Sequence, residues 1–123
     1  MAHVRYIVHD VEAAVAFYTT QLGFEVKQQF GATIAILGRE DLTLWVAGPT
    51  ASASRPMPDG RKPEPGSWNR FVLETKDLTA WVAKLKQSGA KFRNDIVVGP
   101  GGKQILIEDP SGNVVELFEP AGQ

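Results

Sequence analysis

Any chemistry in this chain is done without thiols, because the sequence contains no cysteine. Disulfides, thiolate zinc sites and cysteine nucleophiles are excluded on that ground. Imidazole is scarce as well. The two histidines are His3 and His9, and six residues of extended strand would hold them about 20 Å apart, too far to grip one ion. The side chains left for acid–base work, charge recognition or stacking are Arg5, Thr43, Trp45, Trp68, Arg70, Glu74, Glu116 and Phe118. Two other patterns carry no chemistry. Ser88-Gly89-Ala90-Lys91 fits a Ser-x-x-Lys nucleophile motif but lies past the end of a helix rather than at its start. Gly99-Pro100-Gly101-Gly102 leads into a strand, so it reads as a hairpin loop and not as a phosphate cradle at a helix N-terminus.

The elements that must position these residues come in two series. Asp10-Val-Glu-Ala-Ala-Val-Ala-Phe17 is echoed by Asp77-Leu-Thr-Ala-Trp-Val-Ala-Lys84, with Asp10, Ala13, Val15 and Ala16 recurring as Asp77, Ala80, Val82 and Ala83. Each Asp is placed to cap a helix by accepting from first-turn N–H groups. Val11, Ala14, Val15, Tyr18 and Leu22 form one apolar stripe; Leu78, Trp81, Val82 and Leu85 form the other. Gly23 and Gly89 supply the left-handed residue that ends each helix. An alternating strand precedes each Asp, at 3–8 and 70–75. Three more follow each Gly, at about 24–30, 32–38 and 42–47, then about 91–97, 103–109 and 113–118. Asp109-Pro110-Ser111-Gly112 marks the last turn. The chain therefore reads as one domain of two βαβββ modules, 1–47 and 68–120. The Pro- and Ser-rich segment 48–67 between them reads as a linker, or as a lid or an arm over a neighbouring subunit.

Period-2 alternation divides each strand into two faces. One face is apolar throughout and suits packing under the helices. The other is mixed, collecting His3, Arg5, Thr43, Trp45, Arg70, Glu74, Glu116 and Phe118. A solvated face does not need Trp45 and Phe118, and a dry core does not tolerate unpaired charges. Such a lining fits a small-molecule pocket, or a subunit interface with ion pairs. Glu74 and Glu116 could serve as an acid–base pair, although ion pairing to Arg5 or Arg70 fits them better. Trp81 belongs to a helix stripe and is expected in the core.

Bulk properties narrow the partners. At 123 residues, 43% hydrophobic and 22% charged, the composition is that of an ordinary globular domain. Thirteen basic residues against 14 acidic ones give a net charge of −1, so nothing steers the protein towards nucleic acid or an anionic membrane. The N-terminus runs directly into a strand pattern, with no basic start and no long apolar run. Cytoplasmic localisation is the default expectation.

The two modules, Phe17-Tyr18 followed by Leu22-Gly23-Phe24, and the closing Asp109-Pro110-Ser111-Gly112-Asn113-Val114-Val115-Glu116-Leu117-Phe118 form a recognisable set. The chain resembles the vicinal oxygen chelate superfamily, also called the glyoxalase/bleomycin-resistance/dioxygenase family, over nearly its whole length except 48–67. The resemblance implies an α+β fold of two tandem βαβββ modules, with curved mixed sheets enclosing a cavity and helices on the outer face. It implies small-molecule ligands and a homodimer. Metal-dependent members use the start of the first strand and the middle of the last strand of each module. Aligned by motif, those positions are His3, Thr43, Arg70 and Glu116: His3 and Glu116 match ligand chemistry, whereas Thr43 and Arg70 depart from it.

A catalytic divalent ion usually takes three or more protein ligands, and Arg70 sets a permanent cation where the ion would lie. The first expectation is therefore a protein that binds a small, flat or anionic organic molecule without a metal. Trp45, Phe118 and Trp68 would stack on the ligand, and Arg5 and Arg70 would meet its charge. Antibiotic sequestration is one version. The alternatives are a glyoxalase-like lyase or dioxygenase with a degenerate metal site built on His3 and Glu116, a metal-free enzyme with His3 as general base, and a module whose polar face is an interface.

Overall fold

A computed structural model describes residues 2–122. Its first series is β1 Ala2–Ile7, α1 Val11–Gln21, β2 Glu25–Phe30, β3 Ile34–Arg39 and β4 Leu42–Ala47. The second is β5 Val72–Glu74, α2 Leu78–Gln87, β6 Lys91–Phe92, β7 Val97–Gly99, β8 Gly102–Glu108 and β9 Val114–Pro120. The helices form where the sequence signals them. The Asp10 and Asp77 carboxylates accept from the N–H groups of Ala13 and Ala80 at 3.2 and 3.1 Å. Gly23 and Gly89 end the helices at φ +76° and +81°, a conformation that costs other residues strain. The fold is α+β, with two helices and two mixed sheets of four and five strands.

The chain divides into two compact units, residues 2–66 with 110–113, and residues 67–109 with 114–122. In the first unit the strand order is β1-β4-β3-β2, with β1 parallel to β4 and the other pairs antiparallel. Ala35, Leu37, Leu44 and Val46 are fully buried on the helix side, as are Val11, Ala14, Tyr18 and Leu22 of the α1 stripe. This apolar layer puts His3, Arg5 and Trp45 on the face opposite α1. Tyr18 meets Phe17 and Phe24 edge-on at 5.1 and 5.5 Å, a favoured aromatic geometry.

Segment 48–66 clusters with this unit and contains one 3-10 turn, Ser52–Ser54. Gly48 donates to Thr33 O at 2.8 Å, and Ser54 Oγ donates to Gly48 O at 2.7 Å. A Cβ on Gly48 would meet Val11 Cγ2 and Ala32 O at 2.8 Å, so only glycine fits. The turn at 110–113 also belongs to this unit. Asn113, 6% exposed, donates through Nδ2 to Ile7 O at 2.8 Å and accepts from Gly66 N–H at 2.7 Å. Ser111 Oγ accepts from His9 N–H at 2.8 Å. The turn signal read from the sequence is thus a staple joining the end of β1 to the end of the Pro-rich segment.

In the second unit the order is β5-β9-β8-β6, with β7 also on β8 and β5 parallel to β9. Leu73, Ile105, Ile107, Val115 and Leu117 are buried on the helix side, with Leu78, Val82 and Leu85 of α2. The Glu119 carboxylate accepts from Leu78 N–H at 2.8 Å, adding a second cap to α2. Two strand expectations are corrected here. The strand expected at 70–75 is only Val72–Glu74, which leaves Arg70 ahead of it. The strand expected at 91–97 is broken into β6 and β7. Between them Arg93 N–H still reaches Leu106 O at 2.9 Å, but the Asn94 side chain accepts from Leu106 N–H at 3.0 Å, taking the place of a backbone carbonyl.

Candidate functional site

In the first unit, parallel pairing sets His3 opposite Thr43 and Arg5 opposite Trp45. Alternation puts all four on the face away from α1, where β3 contributes Ile36 opposite Trp45 and Gly38 opposite Thr43. His3 Nδ1 and Thr43 Oγ1 are 2.9 Å apart. This bond fixes the ring and leaves Nε2 without a protein partner among the described residues. The imidazole lies 5.7 Å from the Trp45 ring at 51°, and the Arg5 guanidinium sits 5.0 Å over that ring, within cation–π range. Arg5 is exposed and has no carboxylate partner among the described residues. Trp45 Nε1 is buried with no hydrogen-bond acceptor among the described residues, an unsatisfied donor of a kind native interiors rarely leave.

In the second unit, Glu116 is 9% exposed in the middle of β9. Arg70 holds it through Nε at 3.0 Å and Nη2 at 2.9 Å, both on Oε1. The same guanidinium donates from Nη1 to Trp68 O at 3.1 Å, so three of its donors are committed. Phe118 pairs in register with Glu74, and Glu74 makes no hydrogen bond or ion pair among the described residues. Glu116 is thus taken by Arg70, and the two glutamates form no acid–base pair with each other. Trp68 is 69% exposed, and the Arg93 guanidinium lies 4.6 Å over its ring. Arg93 is anchored in turn to Glu108 at 2.8 Å and to Ser67 O at 2.9 Å. Sequence reasoning missed Arg93 and Glu108. Alternation along β8 could have found Glu108, which shares a face with Glu116.

The strand registers correct one equivalence. Counted from the capping Asp, His3 corresponds to Arg70. In the first unit Val8 N–H bonds to Ala47 O, and in the second Thr75 N–H bonds to Phe118 O. Val8 and Thr75 each stand two residues before the cap, so Ala47 corresponds to Phe118 and Trp45, not Thr43, corresponds to Glu116. Alignment by motif sets Thr43 against Glu116, two residues out of step. That slip keeps every side chain on its face, which is why alternation did not reveal it. Both units then carry the same diagonal contact across a parallel strand pair, His3 with Trp45 and Arg70 with Glu116.

A family model described as the Glyoxalase/Bleomycin resistance protein/Dioxygenase superfamily matches residues 1–117. The chain belongs to this superfamily. It is 29% identical to the uncharacterized protein YwbC of Bacillus subtilis, over 95% of this chain and 94% of that one. It is 28% identical to an ethylmalonyl-CoA/methylmalonyl-CoA epimerase of Cereibacter sphaeroides, over 94% and 93%. Among solved structures, TnmS3, an antibiotic binding protein from Streptomyces sp. CB03234, superposes with a TM-score of 0.71 at 28% identity, covering 98% of each chain. Superfamily scaffolds of this kind thus serve both catalysis and binding. Among the described residues, neither unit gathers three His, Asp or Glu side chains able to hold a metal, and no helix is long and apolar enough to cross a membrane.

Proposed function

We infer that this superfamily member binds a small, flat, anionic organic molecule on the sheet face opposite α1 that carries Trp45, and does so without a catalytic metal. The observation that carries the reading is the pair of residues that each unit sets in contact on its mixed face, His3 with Trp45 and Arg70 with Glu116. In the first unit Trp45 is no ligand and leaves His3 alone; in the second Arg70 is a permanent cation, and it already neutralises the one carboxylate, Glu116. Neither unit's pair fits a divalent ion, which needs about three protein ligands in an open site. The first unit does supply an aromatic plane, and in Arg5 a cation without a carboxylate partner beside that plane. A ligand carboxylate gains a charge-assisted hydrogen bond from Arg5, while its ring takes the Trp45 face that the guanidinium now covers. Phe118 and Trp68 offer further aromatic surface in the second unit. A cytoplasmic homodimer is part of the same reading.

Metal analysis of dialysed protein tests the metal-free claim. Substoichiometric Zn, Ni, Mn and Fe are expected. A stoichiometric ion lost in His3→Ala would overturn the claim and favour a lyase or dioxygenase.

A second reading makes the same face catalytic. Its support is the His3–Thr43 bond, which holds the imidazole with Nε2 free to take a proton from a bound substrate. The curated relative named as an epimerase belongs with this reading. In it, His3→Gln abolishes turnover while ligand affinity stays within a few fold; equal loss of both would refute the general-base role.

A further inference from the structure

A separate cavity of about 330 Å3 lies wholly within the first unit, between the end of β1 and the Pro-rich segment. Its volume is at the small end of the ~300–1,000 Å3 range of ligand sites, which suits a metabolite of a few carbon atoms. Ile7 and the rings of Pro49, Pro56, Pro63 and Pro65 make the apolar walls. Prolines hold such a wall at little entropic cost, because their φ is already fixed. The ends of the segment are tied down independently: Gly48 to Thr33 O, and Gly66 to the buried Asn113, which also grips Ile7.

His9, Lys62 and Glu64 also line the cavity. None of the three side chains has a hydrogen-bond or ion-pair partner among the described residues, although Lys62 and Glu64 carry opposite charges on one short stretch. Two opposite charges that border one space without closing on each other leave room for a molecule that carries both. We propose that this cavity binds a small zwitterion, an α-amino acid with an apolar side chain. Its carboxylate faces Lys62 and His9, its ammonium faces Glu64, and its side chain rests on the proline rings. The Pro-rich segment is then a binding element in its own right, at the end of β1 past the pairing of Arg5 with Trp45.

The test is titration of the full chain with L-leucine and L-phenylalanine, followed by backbone amide shifts in 15N-labelled protein. The amide and N-acetyl forms of each amino acid serve as controls. Saturable shifts at Ile7, His9, Lys62, Glu64 and Gly66 are expected, with at least tenfold weaker binding once either ligand charge is removed. Lys62→Met and Glu64→Gln should each weaken binding at least fivefold, and His3→Ala should leave it unchanged. Both loop residues are exposed, and unchanged melting temperatures would show that these variants keep their fold. No saturable shift up to about 10 mM, well above a millimolar Kd, overturns the proposal. So does equal binding of the amide and N-acetyl forms, or indifference to both loop substitutions.

Discussion

Removing the Arg70 side chain tests the charge arrangement of the second unit in a way that can be calculated beforehand. Arg70 and Glu116 side chains are 27% and 12% exposed, and two guanidinium nitrogens converge on one oxygen. An exposed pair is worth ~0–1 kcal/mol; breaking a buried one by deleting a partner costs ~3–5 kcal/mol. With Glu116 nearly buried and Arg70 partly wet, Arg70→Met should cost about 2 kcal/mol, mostly the desolvated carboxylate left behind. With ~2.1 cal/mol/K of unfolding entropy per residue, 123 residues give about 0.26 kcal/mol/K, so the melting temperature should fall by about 8 °C. Glu116→Gln alone should cost less, about 1 kcal/mol, because Arg70 keeps Trp68 O and some solvent. The double variant should then be more stable than the sum of the singles, by about 1 kcal/mol or more. Calorimetric melting of the four proteins reads this cycle. A drop below about 2 °C for Arg70→Met, or strict additivity, would refute the view that Arg70 neutralises Glu116 in a desolvated position.

Other positions carry predictions of their own. Asn113→Ala should cost about 2–3 kcal/mol, since it orphans Ile7 O and Gly66 N–H together; faster hydrogen exchange at Gly66 in that variant would report release of the Pro-rich segment, and unchanged exchange would contradict the staple. Gly102→Ala should cost more than about 3 kcal/mol, because Gly102 sits at φ +144° and a Cβ there would meet Glu119 O at 2.1 Å; failure to destabilise would be visible in a urea melt. Asp10→Ala and Asp77→Ala should each cost about 1 kcal/mol and add independently, since each cap serves a different unit.

Much of this was legible because local chemistry repeats. An Asp that can accept from a first turn and a Gly that can end a helix recur in step, and apolar stripes of matching period fix which strand face meets each helix. What the sequence hid are features decided by contacts between distant segments. Nothing local indicates that Asn94 replaces a carbonyl and splits a strand, or that Asn113 reaches back to Ile7. The equivalence of Trp45 with Glu116 was hidden because a slip of two residues leaves the face pattern intact. Within each unit side chains of the mixed face meet: His3, Arg5, Thr43 and Trp45 in the first, and Arg70 with Glu116 in the second. The partner of Trp68 was not anticipated, because Arg93 lies in the break between β6 and β7, far from Trp68 in the sequence.

The central claim, a metal-free site for a flat anion beside Trp45 and Arg5, is tested most directly by one titration. Protein stripped with EDTA is titrated with 2-naphthoate while tryptophan emission is followed, with Trp68→Phe/Trp81→Phe protein used so that Trp45 alone reports. The account predicts saturable quenching that is indifferent to added Zn, Ni or Mn and at least tenfold weaker in Arg5→Met, the loss of one charge-assisted hydrogen bond. Binding that appears only when a divalent ion is restored, or that survives Arg5→Met unchanged, would contradict it.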